Sequence, residues 1–107
     1  MNRLSRVVSA GRGEVWWEHP QGAVLGVVVG GRRALVLHLR EPGDVGRHAV
    51  DPTAPPDVVG EYRLNNGQVD RYADRDTVEV DRLPALVAHF LAAAGRWPGV
   101  EWADDSG

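Results

Sequence analysis

The side chains that could do chemistry are four histidines, four tryptophans and a run of carboxylates. The histidines are His19, His38, His48 and His89, and none stands at a metal-ligand spacing such as HExxH. His38 falls in the middle of an apolar strand, where a hydrogen-bonded structural imidazole is expected. His89 falls off the apolar stripe of a helix and is expected in solvent. The chain has no cysteine, which excludes disulfides, thiolate metal sites and the zinc-deaminase signature. It holds no P-loop, no GxGxxG after a strand and no GxSxG elbow. Ser5, Ser9 and Ser106 are poorly placed for a nucleophile, and nothing sets two acids across a pocket as a glycosidase would. No catalytic residue, metal site or cofactor is therefore expected. Asp74, Asp76, Glu79 and Asp81 form the carboxylate run, which reads equally as a solvated connector or as a partner-binding surface. Trp16 and Trp17 are adjacent and must point to opposite faces of a strand. One belongs to the core; the other lies exposed, against a helix or at an interface. Trp97 and Trp102 flank the last turn and are expected to close the core.

These side chains need elements to hold them. Residues 61–72 read as a hairpin, because Asn66-Gly67 is the dipeptide a two-residue type I′ turn prefers. That turn sets Asn65 opposite Gln68 and Leu64 opposite Val69. It puts Tyr62 and Arg71 on the same face, with Arg63 and Asp70 paired on the other. An amphipathic helix follows, with Asp81 as its N-cap, Pro84 in its first turn and Gly95 at its left-handed C-terminal position. Leu83, Leu86, Val87, Phe90, Leu91 and Ala94 form its apolar stripe. Upstream, residues 2–10 have room for one or two helical turns. Strands are expected at 14–19, 23–29, 32–40 and 47–50, with a tight turn at Gly30-Gly31. The second and third are apolar on both faces and belong in the centre of a sheet, and Gly26 marks a bulge or close packing. Residues 51–57 carry three prolines and form a loop. Short extended pieces are expected at 78–80 and 100–102, and 104–107 as a frayed tail. The fold class is α+β: an antiparallel sheet of about six strands with the C-terminal helix packed on one face.

A chain of 107 residues reads as a single domain, 1–107, able to bury a core without staples. The net charge of −3 makes a nucleic-acid backbone an improbable direct partner. The charge is uneven: residues 1–56 carry seven arginines and five acids, residues 57–107 five arginines and ten acids. Every basic residue is arginine, and isoleucine is absent, a bias of GC-rich coding. No stretch approaches a membrane span, and Val7-Val8 after Arg3 and Arg6 is too short for a secretory signal. Cytoplasmic residence is expected, with no membrane and no small-molecule substrate.

The order GGRRALVL, LNNGQ (residues 64–68), TVEVD, a helix ending in Ala94-Gly95 and a closing Trp97, Pro98, Val100, Glu101, Trp102 resembles a family of bacterial immunity proteins. It is the first-numbered immunity family of polymorphic toxin systems, abundant in actinobacteria and often encoded beside nucleic-acid deaminase toxins. The resemblance covers roughly the last two-thirds of the chain; relatives tend to begin with a longer helix. It implies a non-catalytic inhibitor that binds a cognate toxin in the producing cell's cytoplasm. The alternatives are a protein-interaction or regulatory domain with another partner or, less readily, a small hydrolase. Toxins that handle polyanions need basic clefts, so the acidic C-terminal half is the natural contact. With an aromatic anchor added, the expected partner-binding residues are Trp17, Asp70, Tyr72, Asp74, Asp76 and Glu79.

Overall fold

A computed structural model describes residues 2–105; Ser106 and Gly107, which end the expected tail, lie outside it. The elements are α1 (Arg3–Ala10), β1 (Arg12–Glu18), β2 (Val24–Gly30), β3 (Arg33–Leu39), β4 (Arg47–Val50), β5 (Val59–Arg63), β6 (Val69–Ala73), β7 (Val78–Glu79), α2 (Leu83–Ala93) and β8 (Glu101–Asp104). All strand pairs are antiparallel. Six strands make the main sheet, in the order β1-β2-β3-β4-β8 with β7 also beside β3. The class is α+β, as the pattern predicts. The central strands are β2 and β3, and every residue from Val24 to Val29 is buried.

Strand alternation sends the two faces of this sheet to different covers. Leu25, Val27, Val29, Ala34 and Val36 join Leu83, Leu86, Val87 and Phe90 of α2 in the larger core. Val28 and Leu35 pack on the other side against Tyr62. That second cover is the β5-β6 hairpin, a separate two-stranded sheet laid across the face that α2 leaves open. Gly30 makes the crossing possible, since a Cβ there would stand 2.7 Å from the Glu61 carbonyl oxygen.

The hairpin corrects the register expected of it. Leu64 N donates to Gln68 O at 2.8 Å and Gly67 N to Leu64 O at 3.0 Å. The loop is therefore the three residues 65–67, and only Gly67 (φ 90°) has a left-handed backbone in it. This is the turn that ends in a one-glycine bulge, the alternative to the two-residue turn for a loop ending in Gly. Tyr62 faces Asp70 and Arg63 faces Val69. A one-residue slip moves a strand's side chains to the opposite face. Asp70 and Tyr72 thus share the sheet-facing side with Tyr62, while Val69 and Arg71 look outward.

The ends of α2 also differ from expectation. A 3-10 turn, Val80–Arg82, runs directly into the helix, so Asp81 lies inside that turn and Arg82 is the N-cap, without a side-chain cap bond. At the other end Ala94, not Gly95, takes the left-handed position (φ 60°) and donates its N–H to Phe90 O. Leu91 leaves the buried stripe and is 53% exposed. His38 is held as expected, with Nε2 2.9 Å from Ala94 O. Because a carbonyl only accepts, Nε2 carries the proton. His89 is half-buried. Asp104 and Asp105 are not frayed: the first ends β8 and the second bonds His48. Gly26 is a site of close packing rather than a bulge, since its pairing is continuous on both sides and the Trp16 ring covers it.

Candidate partner-binding surface

The hairpin is fastened at both ends. At its tip Asn65 behaves like one residue of a neighbouring strand. Its side-chain amide accepts from Glu14 N (3.2 Å) and donates to Glu14 O (3.2 Å), while its own N–H donates to the Glu14 carboxylate at 2.8 Å. This satisfies backbone groups on the open edge of β1, which would otherwise template pairing with another chain. At its root Arg33 is the hub. Its guanidinium reaches Asp51 (2.7 Å), Thr77 Oγ1 (2.8 Å) and the carbonyls of Asp74 and Thr77. The Asp51 carboxyl is held below its usual pKa by Thr53 first and Arg33 second.

Between these ends the hairpin has two unlike faces. Beneath, Tyr62 and Tyr72 pack with ring centroids 5.0 Å apart, and Tyr72 donates its hydroxyl proton to Asp70 at 2.7 Å. Burial first, and then that carboxylate, push the Tyr72 phenol far above its usual value. Hydrogen bonds from Gln68 and Tyr72 hold Asp70 below its own. Above, the solvent face presents Val59, Glu61, Arg63, Val69 and Arg71. Val59 and Val69 are 56% and 48% exposed, among the most open large apolar side chains in the molecule.

The acidic connector leaves the root of the hairpin. Asp74–Asp76 form a 3-10 turn whose end is tied down by His48. The imidazole bridges Asp76 (Nε2, 2.9 Å) and Asp105 (Nδ1, 2.6 Å). Burial alone would depress the His48 pKa; the two carboxylates outweigh it and raise it. With an acceptor on each nitrogen, the protonated ring is the form that satisfies both. Glu79 lies farther on, exposed on β7, and lines a cleft of about 500 Å³ with Asp51, Arg82, Glu101 and apolar walls from Val50, Val78 and Val100.

The tryptophans divide as adjacent strand residues must. Trp17 faces the α2 side, half-buried, with the Arg3 guanidinium 5.5 Å above its ring. Trp16 is the outward ring, 40% exposed, lying over Gly26 and donating Nε1–H to Glu14 at 2.9 Å. It stands two residues along β1 from the anchor of the hairpin tip. Among the described residues no three His, Cys, Asp or Glu side chains gather closely enough to hold a metal ion.

The sequence model of a family described as Immunity protein Imm1 matches residues 4–104. The chain belongs to that family. No curated protein and no solved structure is a match. The match runs from α1 to β8, so the short first helix and β1 are as much part of the Imm1 domain as the C-terminal motifs.

Within this Imm1 fold the six expected partner-binding residues form three groups. Asp70 and Tyr72 are together, bonded to each other beneath the hairpin. Asp74, Asp76 and Glu79 follow one another along the connector. Trp17 stands apart, on the other side of the sheet. The partner-binding set read from the sequence holds none of Trp16, Val59 and Val69, three exposed apolar groups on the hairpin side of the sheet; Trp16 stands there only as one of two candidates for the outward ring. The signal for Trp16 was available: Gly26 needed a ring to cover it. Parity along β1 then puts that ring on the face away from Leu25 and Val27. Nothing local marked His48, because its two carboxylates come from elements 28 and 57 residues away.

Proposed function

We propose that this Imm1 protein binds a nucleic-acid deaminase toxin of a polymorphic toxin system and neutralises it by covering its active site. It acts in the cytoplasm of the producing cell, as a stoichiometric inhibitor rather than a catalyst. The observation that carries this reading is the family match over residues 4–104. The charge distribution supports it, since a cleft that handles polyanions is basic and an acidic surface both fits it and speeds encounter.

The contact surface in this reading is the solvent face of the hairpin together with the connector. Asp74, Asp76 and Glu79 supply steering charge. Trp16, with Val59 and Val69, supplies the desolvated anchor that slows dissociation. Asp70 and Tyr72 contribute from beneath by fixing the hairpin's shape, and Trp17 by fixing the α1–β1 corner.

Two experiments test the proposal. Co-expression with the toxin encoded beside it should rescue growth, and the purified protein should abolish nucleobase deamination at one-to-one stoichiometry. Rescue without a complex, or a complex that leaves deamination intact, rejects it. Reversal of Asp74, Asp76 and Glu79 to arginine should slow association at low salt by about tenfold or more, with the fold retained. Unchanged association at both low and high salt removes the connector from the interface.

A further inference from the structure

At the end of the sheet beyond α2, three neighbouring strands set His38, Arg47 and Asp104 side by side, each opposite the next in the strand register. Arg40 and Asp44 close one side of this row and Arg96, from the segment after α2, closes the other. The six surround a pocket of about 150 Å³. Its charge is not balanced pair by pair. Arg40 reaches Asp44 at 3.4 Å and Arg47 reaches Asp104 at 3.4 Å. Arg96 is half-buried and forms no salt bridge among the described residues. Its guanidinium is held below its usual pKa by burial first, and then by Arg47 and Arg40, while Asp104 opposes them. The buried His38 beside it cannot take up an anion's charge as it stands, since burial holds its pKa down and its proton is on the nitrogen facing Ala94 O. The Ala94 carbonyl is already occupied by that imidazole.

A guanidinium crowded by two others, partly out of water and without its own carboxylate, is an incomplete ion-pair arrangement. Arginine offers its donors as a planar fork that suits carboxylate and phosphate oxygens. The pocket has space for one such group, and not for a nucleotide or a peptide. We propose that the pocket formed by Arg40, Arg47 and Arg96 binds a single small oxyanion, phosphate or a carboxylate ion, with Arg96 as its principal ligand. The site stands at the far end of the sheet from the hairpin tip and does not depend on the toxin surface.

Thermal unfolding and titration calorimetry with phosphate, sulfate and acetate, each against chloride at equal ionic strength, test it. At least one anion should raise the unfolding temperature saturably. Phosphate and sulfate acting alone would identify a tetrahedral ligand, and acetate acting alone a carboxylate. Arg96→Gln should weaken binding by about tenfold or more, the loss expected for one charge-assisted hydrogen bond. Arg12→Gln, exposed on the edge strand β1, should change nothing. Bound anion should also raise the pH at which His38 titrates by NMR, because negative charge nearby favours the imidazolium. The proposal is overturned if no anion saturates against chloride. It is equally overturned if Arg96→Gln, folded by circular dichroism, responds as the parent does.

Discussion

The two faces of the central sheet are covered by different means. On one side α2 buries Leu83, Leu86, Val87 and Phe90 against five side chains of β2 and β3. On the other, a two-stranded hairpin contributes Tyr62 as its one fully buried side chain and leaves Val59 and Val69 in water. The helix face is held by apolar area. The hairpin face is held by its ends, through Asn65 at the tip and Arg33 at the root. A region anchored at its ends can present an open apolar surface without losing its shape, which is what a binding face requires.

The largest expected effect lies on the helix face. Phe90→Ala should destabilise by about 3–5 kcal/mol, a buried aromatic lost together with the cavity it leaves. Its neighbour His89, half-buried, should cost well under that when changed to alanine. Denaturant unfolding of the two variants measures the contrast, and a larger loss at His89 would overturn the helix phase. Val59→Ala or Val69→Ala, on the open hairpin face, should stay within about 0.5 kcal/mol.

The same contrast explains what could be read from the chain. The period of 3.6 residues placed Leu83, Leu86, Val87 and Phe90 correctly because four large side chains fix one phase. Continuous apolar runs placed β2 and β3 in the centre. A hairpin register rests on its turn alone, and the sequence 64–68 is compatible with both a two-residue and a three-residue loop. Only the packing of Tyr62 over Gly30, between residues 32 apart, selects the second. The facing of Asp70 and Tyr72 follows from that register and changes with it. The left-handed position at Ala94 was hidden for a similar reason. It is held by His38 from another strand, while Gly95 next to it offered the easier local choice. Alternation sends Trp16 and Trp17 to opposite faces but does not name the face that is covered.

A smaller effect distinguishes the two turns directly. Gly67→Val should destabilise by about 1–2 kcal/mol, the cost of a side chain at positive φ. Asn66→Ser, which keeps an acceptor for Gln68 N (2.9 Å from Asn66 Oδ1 in the parent), should cost about 0.5 kcal/mol or less, because Asn66 has no positive φ here. A two-residue type I′ turn would penalise both positions. Cross-strand NMR contacts between Arg63 and Val69 complete the test; contacts between Arg63 and Asp70 as directly opposed residues would restore the other register.

The smallest effect compares the faces through one histidine on each. His38 lies on the helix side, where burial depresses its pKa. Neutral in the folded state, it contributes stability that is present above the unfolded value of about 6.5 and lost as pH falls below it. His48 lies one position along from Arg47, on the hairpin side, where Asp76 and Asp105 raise its pKa despite burial. Its contribution is fully present below about 6.5 and lost as pH rises through the raised folded value. The two slopes oppose each other, so the parent should show a shallow dependence of stability on pH through this range. His48→Gln removes one of them. The variant should lose about 1 kcal/mol at pH 5.5, the scale of a partly exposed ion pair, and less at pH 8, so that its stability rises with pH more steeply than the parent's. Urea midpoints at several pH values read this out. A variant that loses the same amount at both ends of the range would mean that His48 holds the connector as a neutral hydrogen-bonding group. The link from Asp76 to Asp105 would then owe nothing to charge.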